Sequence, residues 1–263
     1  LRPREFRVFN MMIVKFGGHA MKDEAGLFAH SIGLALSKGE KVIVVHGGGP
    51  QINSELSRLN IESTFVNGFR YTTEEIFAVV DQVLTKVVGP EVASNLVSNG
   101  IKAQSISGKD SRIFSGFPIE GLGKVGKISK VDIKPIQDLL DLQIVPVIAP
   151  IAVDDSGGSG LNVNADLAAA AISAAYENST LIIMTDVAGI YRNWPDENSL
   201  IREISSRELT KLKSSFSDGM LPKVQAALEA VDAGARTVRI IDGTNEKSFE
   251  EALLGYGGTL VYA

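Results

Sequence analysis

Along the chain, short apolar runs rich in β-branched residues alternate with stretches whose apolar positions recur every three or four residues. The runs Met12–Phe16, Val42–Val45, Ile101–Ile106, Ile144–Ile148, Leu181–Thr185, Val238–Ile241 and Thr259–Tyr262 predict strands. Those at 42–45, 144–148 and 181–184 are apolar at consecutive positions, as expected of strands covered on both faces. Helical patterns lie between them. Thr72-x-x-Glu75 predicts a capping box, and Ile76, Val79, Val80, Val83, Leu84, Val87 and Val88 then form one buried stripe. Gly89-Pro90 predicts a break or kink, followed by a second helical set that stops at Asn99-Gly100. Leu167–Tyr176 is alanine-dense and suited to close packing on a sheet, and Lys223–Ala233 ends at Gly234.

Residues 111–131 break the rhythm with short alternating pieces and glycines, which predicts an antiparallel hairpin, and DDSGGSG at 154–160 reads as a polar, mobile loop. No internal repeat is present. The order of elements predicts an α/β fold, a three-layer αβα sandwich with a largely parallel central sheet. Residues 1–11 read as a leader ahead of a single domain over 12–263.

Composition narrows the chemistry. The 263 residues include no cysteine, which excludes disulfides, a thiol nucleophile and thiolate metal sites and fits a reducing, cytoplasmic setting. His19, His30 and His46 are too widely spaced for a local metal motif. A net charge of −5 offers no broad basic face for nucleic acid or anionic membrane, so a bound anion depends on a few local cations and backbone amides. No apolar run approaches the roughly 20 residues of a membrane span.

Two glycine turns stand at predicted strand ends: Lys15-Phe16-Gly17-Gly18 and His46-Gly47-Gly48-Gly49. Ligands of open parallel sheets sit beyond the carboxyl ends of strands, and glycines at a helix start let backbone N–H groups meet an anion. Tight turning alone is the competing explanation. Gly121–Ile128 imitates a Walker loop, but isoleucine stands where a magnesium-binding hydroxyl is needed, and a hairpin surrounds it. The dinucleotide glycine pattern followed by an acidic residue is absent.

VKFGG at 14–18, VVHGGGPQI at 44–52, NGFRYT at 67–72, LNVNAD at 161–166, TDVAGIY at 185–191 and GMLPKV at 219–224 together resemble the amino-acid kinase family, in unbroken order from about Met12 to the C-terminus. The closest branch phosphorylates N-acetyl-L-glutamate. The resemblance implies a carbamate kinase-like fold, with a lobe over about 12–177 for the acyl amino acid and dimerisation and a lobe over about 178–263 for ATP. It implies that Lys15 stabilises the transferring phosphoryl group, that Lys223 serves the departing β-phosphate, and that Asp166 orients both lysines. Arg70 and Asn162 are implied as substrate contacts, Arg70 on the unreacting carboxylate, with the Gly48 and Gly49 amides at the other end. Gly17, Gly18, Asp186, Val187, Ala188, Gly189, Ile190, Tyr191, Phe216 and Ser217 are implied on the nucleotide side, with Mg²⁺ carried on ATP phosphates and no protein ligand.

Each residue also has a plainer reading: the lysines as surface charges, Asp166 as a helix N-cap, His46 as structural or a substrate neighbour. A carboxylate acceptor is ionised at neutral pH, so the absence of a catalytic base fits. A lysine-biosynthesis branch acting on carrier-linked α-aminoadipate or glutamate is a rival, but its insertion before the arginine and its glycine before the aspartate are absent. A silent nucleotide- or amino-acid-binding module is a rival of another class. The short leader leads us to expect a homodimer insensitive to arginine, with the helix from Thr72 to Val88 at its interface.

Overall fold

Alternation along the first strand sets the layers. In β1 (Met11–Phe16), Met12, Val14 and Phe16 belong to one buried cluster, and Ile13 belongs to the other, on the opposite face of the sheet. With a side-chain period of two, Lys15 points to the face of Ile13. The computed structural model describes residues 11–17, 26–176, 179–216 and 220–263. The leader before Met11, and with it Gly18 and Ser217, lies outside these residues; Met11 itself opens β1.

After β1 come α1 (Leu27–Ser37), β2 (Lys41–His46), α2 (Gly49–Arg58), β3 (Phe65–Val66) and β4 (Phe69–Arg70). A long helical stretch follows: α3 (Glu74–Gln82), a π-helical segment (Val83–Val88) and α4 (Gly89–Ser98). Then come β5 (Ala103–Ser107), β6 (Phe114–Pro118), β7 (Gly126–Val131), α5 (Lys134–Asp141), β8 (Val145–Ala149), β9 (Ile151–Asp154), β10 (Leu161–Asn162) and α6 (Ala165–Ala175). The chain ends with β11 (Ser179–Thr185), β12 (Glu203–Ser205), α7 (Ser206–Leu212), α8 (Leu221–Asp232), β13 (Thr237–Asp242), α9 (Glu246–Leu253) and β14 (Thr259–Tyr262).

The main sheet has the order β12-β14-β13-β11-β1-β2-β8-β5 and is parallel except where β13 meets β14. Helices cover both faces, giving the predicted three layers. Every predicted strand is present, with ends shifted by at most two residues. The predicted hairpin is β6–β7, part of a second sheet ordered β10-β9-β6-β7. The Walker-like Gly121–Ile128 is part of the turn of that hairpin and the start of β7, with a strand where a P-loop needs a helix.

Three expectations change. The N-cap of α3 is Thr73, whose hydroxyl accepts from Ile76 N–H, while Thr72 is buried one residue earlier. Gly89-Pro90 does not end the helix. Gly89 N–H donates to Leu84 O, five residues back, and the widened turn absorbs the donor that Pro90 lacks. The 154–160 loop is tethered: Asp154 is buried, Lys124 Nζ lies 3.1 Å from Glu74 Oε2 and 3.8 Å from Asp154 Oδ2, and the Ser159 hydroxyl donates to Glu74.

Candidate active site

β1 and β2 deliver the two glycine turns side by side at the carboxyl edge of the sheet. Phe16 pairs with His46 in register, and Gly47 N–H donates to Phe16 O at 2.8 Å. A Cβ at Gly17 would lie 3.0 Å from both Cε and Nζ of Lys15, so this glycine leaves room for the ammonium group. Gly48 then caps α2, with Gly49 and Pro50 in its first turn, so free helix N–H groups face outward from the loop. His46 is wholly buried. Its Nδ1 lies 2.8 Å from Gly47 O, an acceptor, so Nδ1 carries the proton. Burial, only partly opposed by that bond, pushes its pKa down to about 4, so the ring is neutral at pH 7.

Lys15 reaches α6 across the cavity. Its Nζ lies 3.3 Å from Asp166 Oδ1, and that buried oxygen makes no hydrogen bond among the described residues. The pair is thus an ion pair not aligned as a hydrogen bond, which leaves the ammonium protons for a ligand. Asp166 is not the N-cap of α6. Asn164 is, its side-chain oxygen accepting from the N–H groups of Asp166 and Leu167, and Asp166 stands in the first helical turn.

Arg70 closes another wall. Its guanidinium donates to Ser63 Oγ at 2.5 Å and Asn53 Oδ1 at 2.7 Å and lies 4.7 Å from the Phe65 ring centroid. Burial lowers its pKa, yet a guanidinium remains charged at neutral pH. Asn162, at the end of β10, completes the ring. One cavity of about 240 Å³ is lined by Lys15, Gly17, Gly48, Gly49, Arg70, Asn162 and Asp166, with Pro50, Ile52, Leu84 and Val163 among its apolar walls. Seven of the residues singled out in the sequence therefore share one enclosure: two cations, one carboxylate, an amide and a helix N-terminus.

The second lysine stands elsewhere on the same edge. Lys223, in the first turn of α8, pairs through Nζ with Asp186 Oδ1 at 3.2 Å. A single aspartate serving both lysines is therefore replaced by one aspartate per lysine: Asp166 for Lys15 and Asp186 for Lys223. Asp186 follows β11, whose Ile183 is level with Lys15 on the neighbouring strand, so Asp186 lies about 10 Å further along the strand direction. Gly189 packs against β14, where a Cβ would meet Thr259 Oγ1 at 2.4 Å. Ile190 N–H donates to the same hydroxyl at 2.8 Å. Ile190, Tyr191 and Phe216 bury their side chains in the core, and Val187 and Ala188 pack against it, so this segment has its backbone to offer a ligand. Asn53 and Ser63, which hold the arginine, carried no signal in the sequence, because no motif or periodicity marks them; Thr72, which holds the asparagine, was marked only as a helix cap and as the end of the NGFRYT motif.

The description "Amino acid kinase family" fits residues 10–242 of the chain. The chain belongs to the amino acid kinase family. Among its curated relatives is the acetylglutamate kinase of Paenarthrobacter aurescens (strain TC1), 43% identical over 88% of this chain and 79% of that protein. The crystal structure of smu.665 from Streptococcus mutans UA159 superposes with a TM-score of 0.82 at 26% identity, covering 97% of this chain and 99% of that one. The carbamate kinase from Giardia lamblia bound to AMP-PNP shares the fold, with a TM-score of 0.70 at 18% identity over 97% of this chain and 98% of that one. As a member of this kinase family, the chain takes ATP as its phosphoryl donor.

Proposed function

We propose that the chain transfers the γ-phosphoryl group of MgATP to the side-chain carboxylate of N-acetyl-L-glutamate, the second step of arginine biosynthesis, giving N-acetyl-L-glutamyl 5-phosphate and ADP. The observation that carries this reading is the cavity uniting Lys15, Arg70, Asn162 and the Gly48–Gly49 helix start. A dicarboxylate with an acylated amine has two anionic ends, and the cavity has two cationic walls. Arg70, its fork already oriented by Asn53 and Ser63, takes the unreacting carboxylate. The Gly48 and Gly49 N–H groups and Lys15 receive the reacting end.

The attacking carboxylate oxygen forms a bond to the γ-phosphorus as the bond to the β–γ bridging oxygen breaks, and ADP leaves with that electron pair. Negative charge spreads over the equatorial oxygens, so catalysis rests on positioned cations rather than on a base. Lys15, held by Asp166, meets the migrating group, and Lys223, held by Asp186, meets the β-phosphate side. The magnesium enters as part of MgATP. The 186–191 turn and the segment around Phe216 contact the nucleotide through backbone groups. The chain works as a homodimer, with the helix from Thr72 to Val88 at the interface.

The test is ADP release, together with trapping of the acyl phosphate by hydroxylamine, on N-acetylglutamate, glutamate, aspartate and α-aminoadipate. Turnover of N-acetylglutamate with hydroxamate formation is expected. Activity confined to another acid, or to a carrier-linked one, would refute the reading.

A further inference from the structure

The two side chains read as acceptor contacts, Arg70 and Asn162, come from different sheets and meet at a residue to which the sequence assigned no part in the site. Thr72 is wholly buried. Its hydroxyl donates to Arg70 O at 2.6 Å and lies 3.1 Å from Asn162 Nδ2. Its backbone binds the hairpin turn on both sides: Thr72 N–H donates to Leu122 O at 3.3 Å, and Lys124 N–H donates to Thr72 O at 2.7 Å. Lys124 O in turn accepts from Asn162 N–H at 2.8 Å. A Cβ at Gly123 would stand 2.3 Å from Thr72 O, and its φ is +67°, so glycine is required for this approach.

A hydroxyl has one proton to give. Arg70 O is an acceptor only, and two oxygens 2.6 Å apart need a proton between them, so the threonine proton is committed there. The Thr72 oxygen can then only accept from Asn162, which obliges the asparagine to turn its NH₂ toward Thr72. The carbonyl Oδ1 is on the other side of the planar amide, and among the described residues it makes no hydrogen bond, while Asn162 lines the cavity.

From this the geometry points to Thr72 as a positioning residue that sets the polarity of Asn162, so that the acceptor site presents a carbonyl oxygen beside the Arg70 cation and selects a ligand with an N–H donor next to a carboxylate. An N-acylated α-amino acid has that arrangement. Its ester analogue, with oxygen in place of the amide N–H, has the same shape and leaves Oδ1 unpaired. This identification of the ligand rests on the function proposed above; the polarity of Asn162 does not.

The kinetic test compares N-acetylglutamate with 2-acetoxyglutarate in the wild-type chain, Thr72→Val and Thr72→Ser. The wild type should favour the amide by about 10- to 100-fold in kcat/KM, the usual cost of an unpaired buried acceptor. Thr72→Val should collapse that ratio toward one and raise KM for the amide more than it lowers kcat, and Thr72→Ser should restore both. A ratio is unaffected by the fraction of folded enzyme, so mere destabilisation would leave it unchanged. An unchanged ratio in Thr72→Val, or its loss in Thr72→Ser as well, would overturn the proposal. A second readout is independent of turnover and of the valine variant's folding: the Asn162 side-chain NH₂ resonances of the ligand-free wild type, assigned by their loss in Asn162→Asp. Slow exchange of one NH₂ proton is expected, and two fast-exchanging protons would overturn the proposal. Failure of N-acetylglutamate to react, with that proton protected, would sink the functional reading alone.

Discussion

Replacing Gly48 by alanine tests whether the acceptor loop is held by packing. Its φ of 165° lies outside the left-handed region that favours glycine. The obstacle is a neighbour: a Cβ would lie 2.5 Å from Leu84 Cδ2 and 3.4 Å from Val88 Cγ2. Carbon atoms rest at about 3.5–4.0 Å, so Leu84 or the loop must move by about 1 Å. Leu84 and Val88 are 2% and 1% exposed, and both belong to the π-helical segment wedged against this loop, so neither has open space to enter. Overpacking of this kind costs about 1–3 kcal/mol. At roughly 2–4 °C per kcal/mol for a chain of this size, the melting temperature should fall by several degrees. The functional cost should be larger, because a shift of about 1 Å at a positioned N–H can cost about 100-fold in rate. Differential scanning calorimetry and initial rates at varied acceptor would measure both. The decisive control is a cycle with Leu84→Ala, which creates a void where the new methyl would go. The double variant should be more stable than the sum of the single changes by about 1–3 kcal/mol. Additive losses, or an alanine variant with wild-type melting and KM, would refute the packing argument.

Lys15→Met and Lys223→Met should each lower kcat by at least about 100-fold while ATP affinity changes by a few-fold, as expected of groups that act on the migrating charge; equal losses in both would indicate a binding module. Asp186→Asn should reproduce much of the Lys223→Met defect and Asp166→Asn that of Lys15→Met, measured as kcat at saturating substrates; if Asp166→Asn alone mimics both, the separate pairing is wrong. His46 has its folded pKa depressed to about 4 by burial, so the unfolded chain binds its proton first. Stability from this group is therefore complete above about pH 6.5 and is lost as pH falls toward 4, by on the order of 3 kcal/mol at the lower end. A His46→Gln variant should show a flatter fall in melting temperature over that window, and parallel curves would contradict the assignment. Thr73→Ala should cost about 1 kcal/mol in urea unfolding through loss of the α3 cap.

The strands were legible because a parallel sheet buried on both faces leaves unbroken β-branched runs, as Val42–Val45 shows with every residue covered. β3, β4 and β10 were not legible. Each has two residues, too few for any periodicity, and each exists through its partner. The helix cap was misplaced by one residue because Thr72 and Thr73 offer the same hydroxyl, and only burial tells the cap from the hub. Nothing local announces a π-helical turn, whose register is set by the packing of Leu84 and Val88 on Gly48. The motifs named Lys15, Asp166, Arg70 and Asn162, which line one cavity, but the pairing of Lys223 with Asp186 depends on where α8 lands relative to β11. Distances of that kind are a tertiary outcome.

The position of β1 has a mechanical consequence. It is hydrogen-bonded to β2 on one side and to β11 on the other, so the seam between the lysine at residue 15 and the strand that leads to the 186–191 turn is a continuous ladder. On the proposed mechanism, α8 and the loops at the sheet's rim would tilt over this paired floor to bring both ammonium groups onto one phosphate, and a cut between β1 and β11 would sever the floor itself.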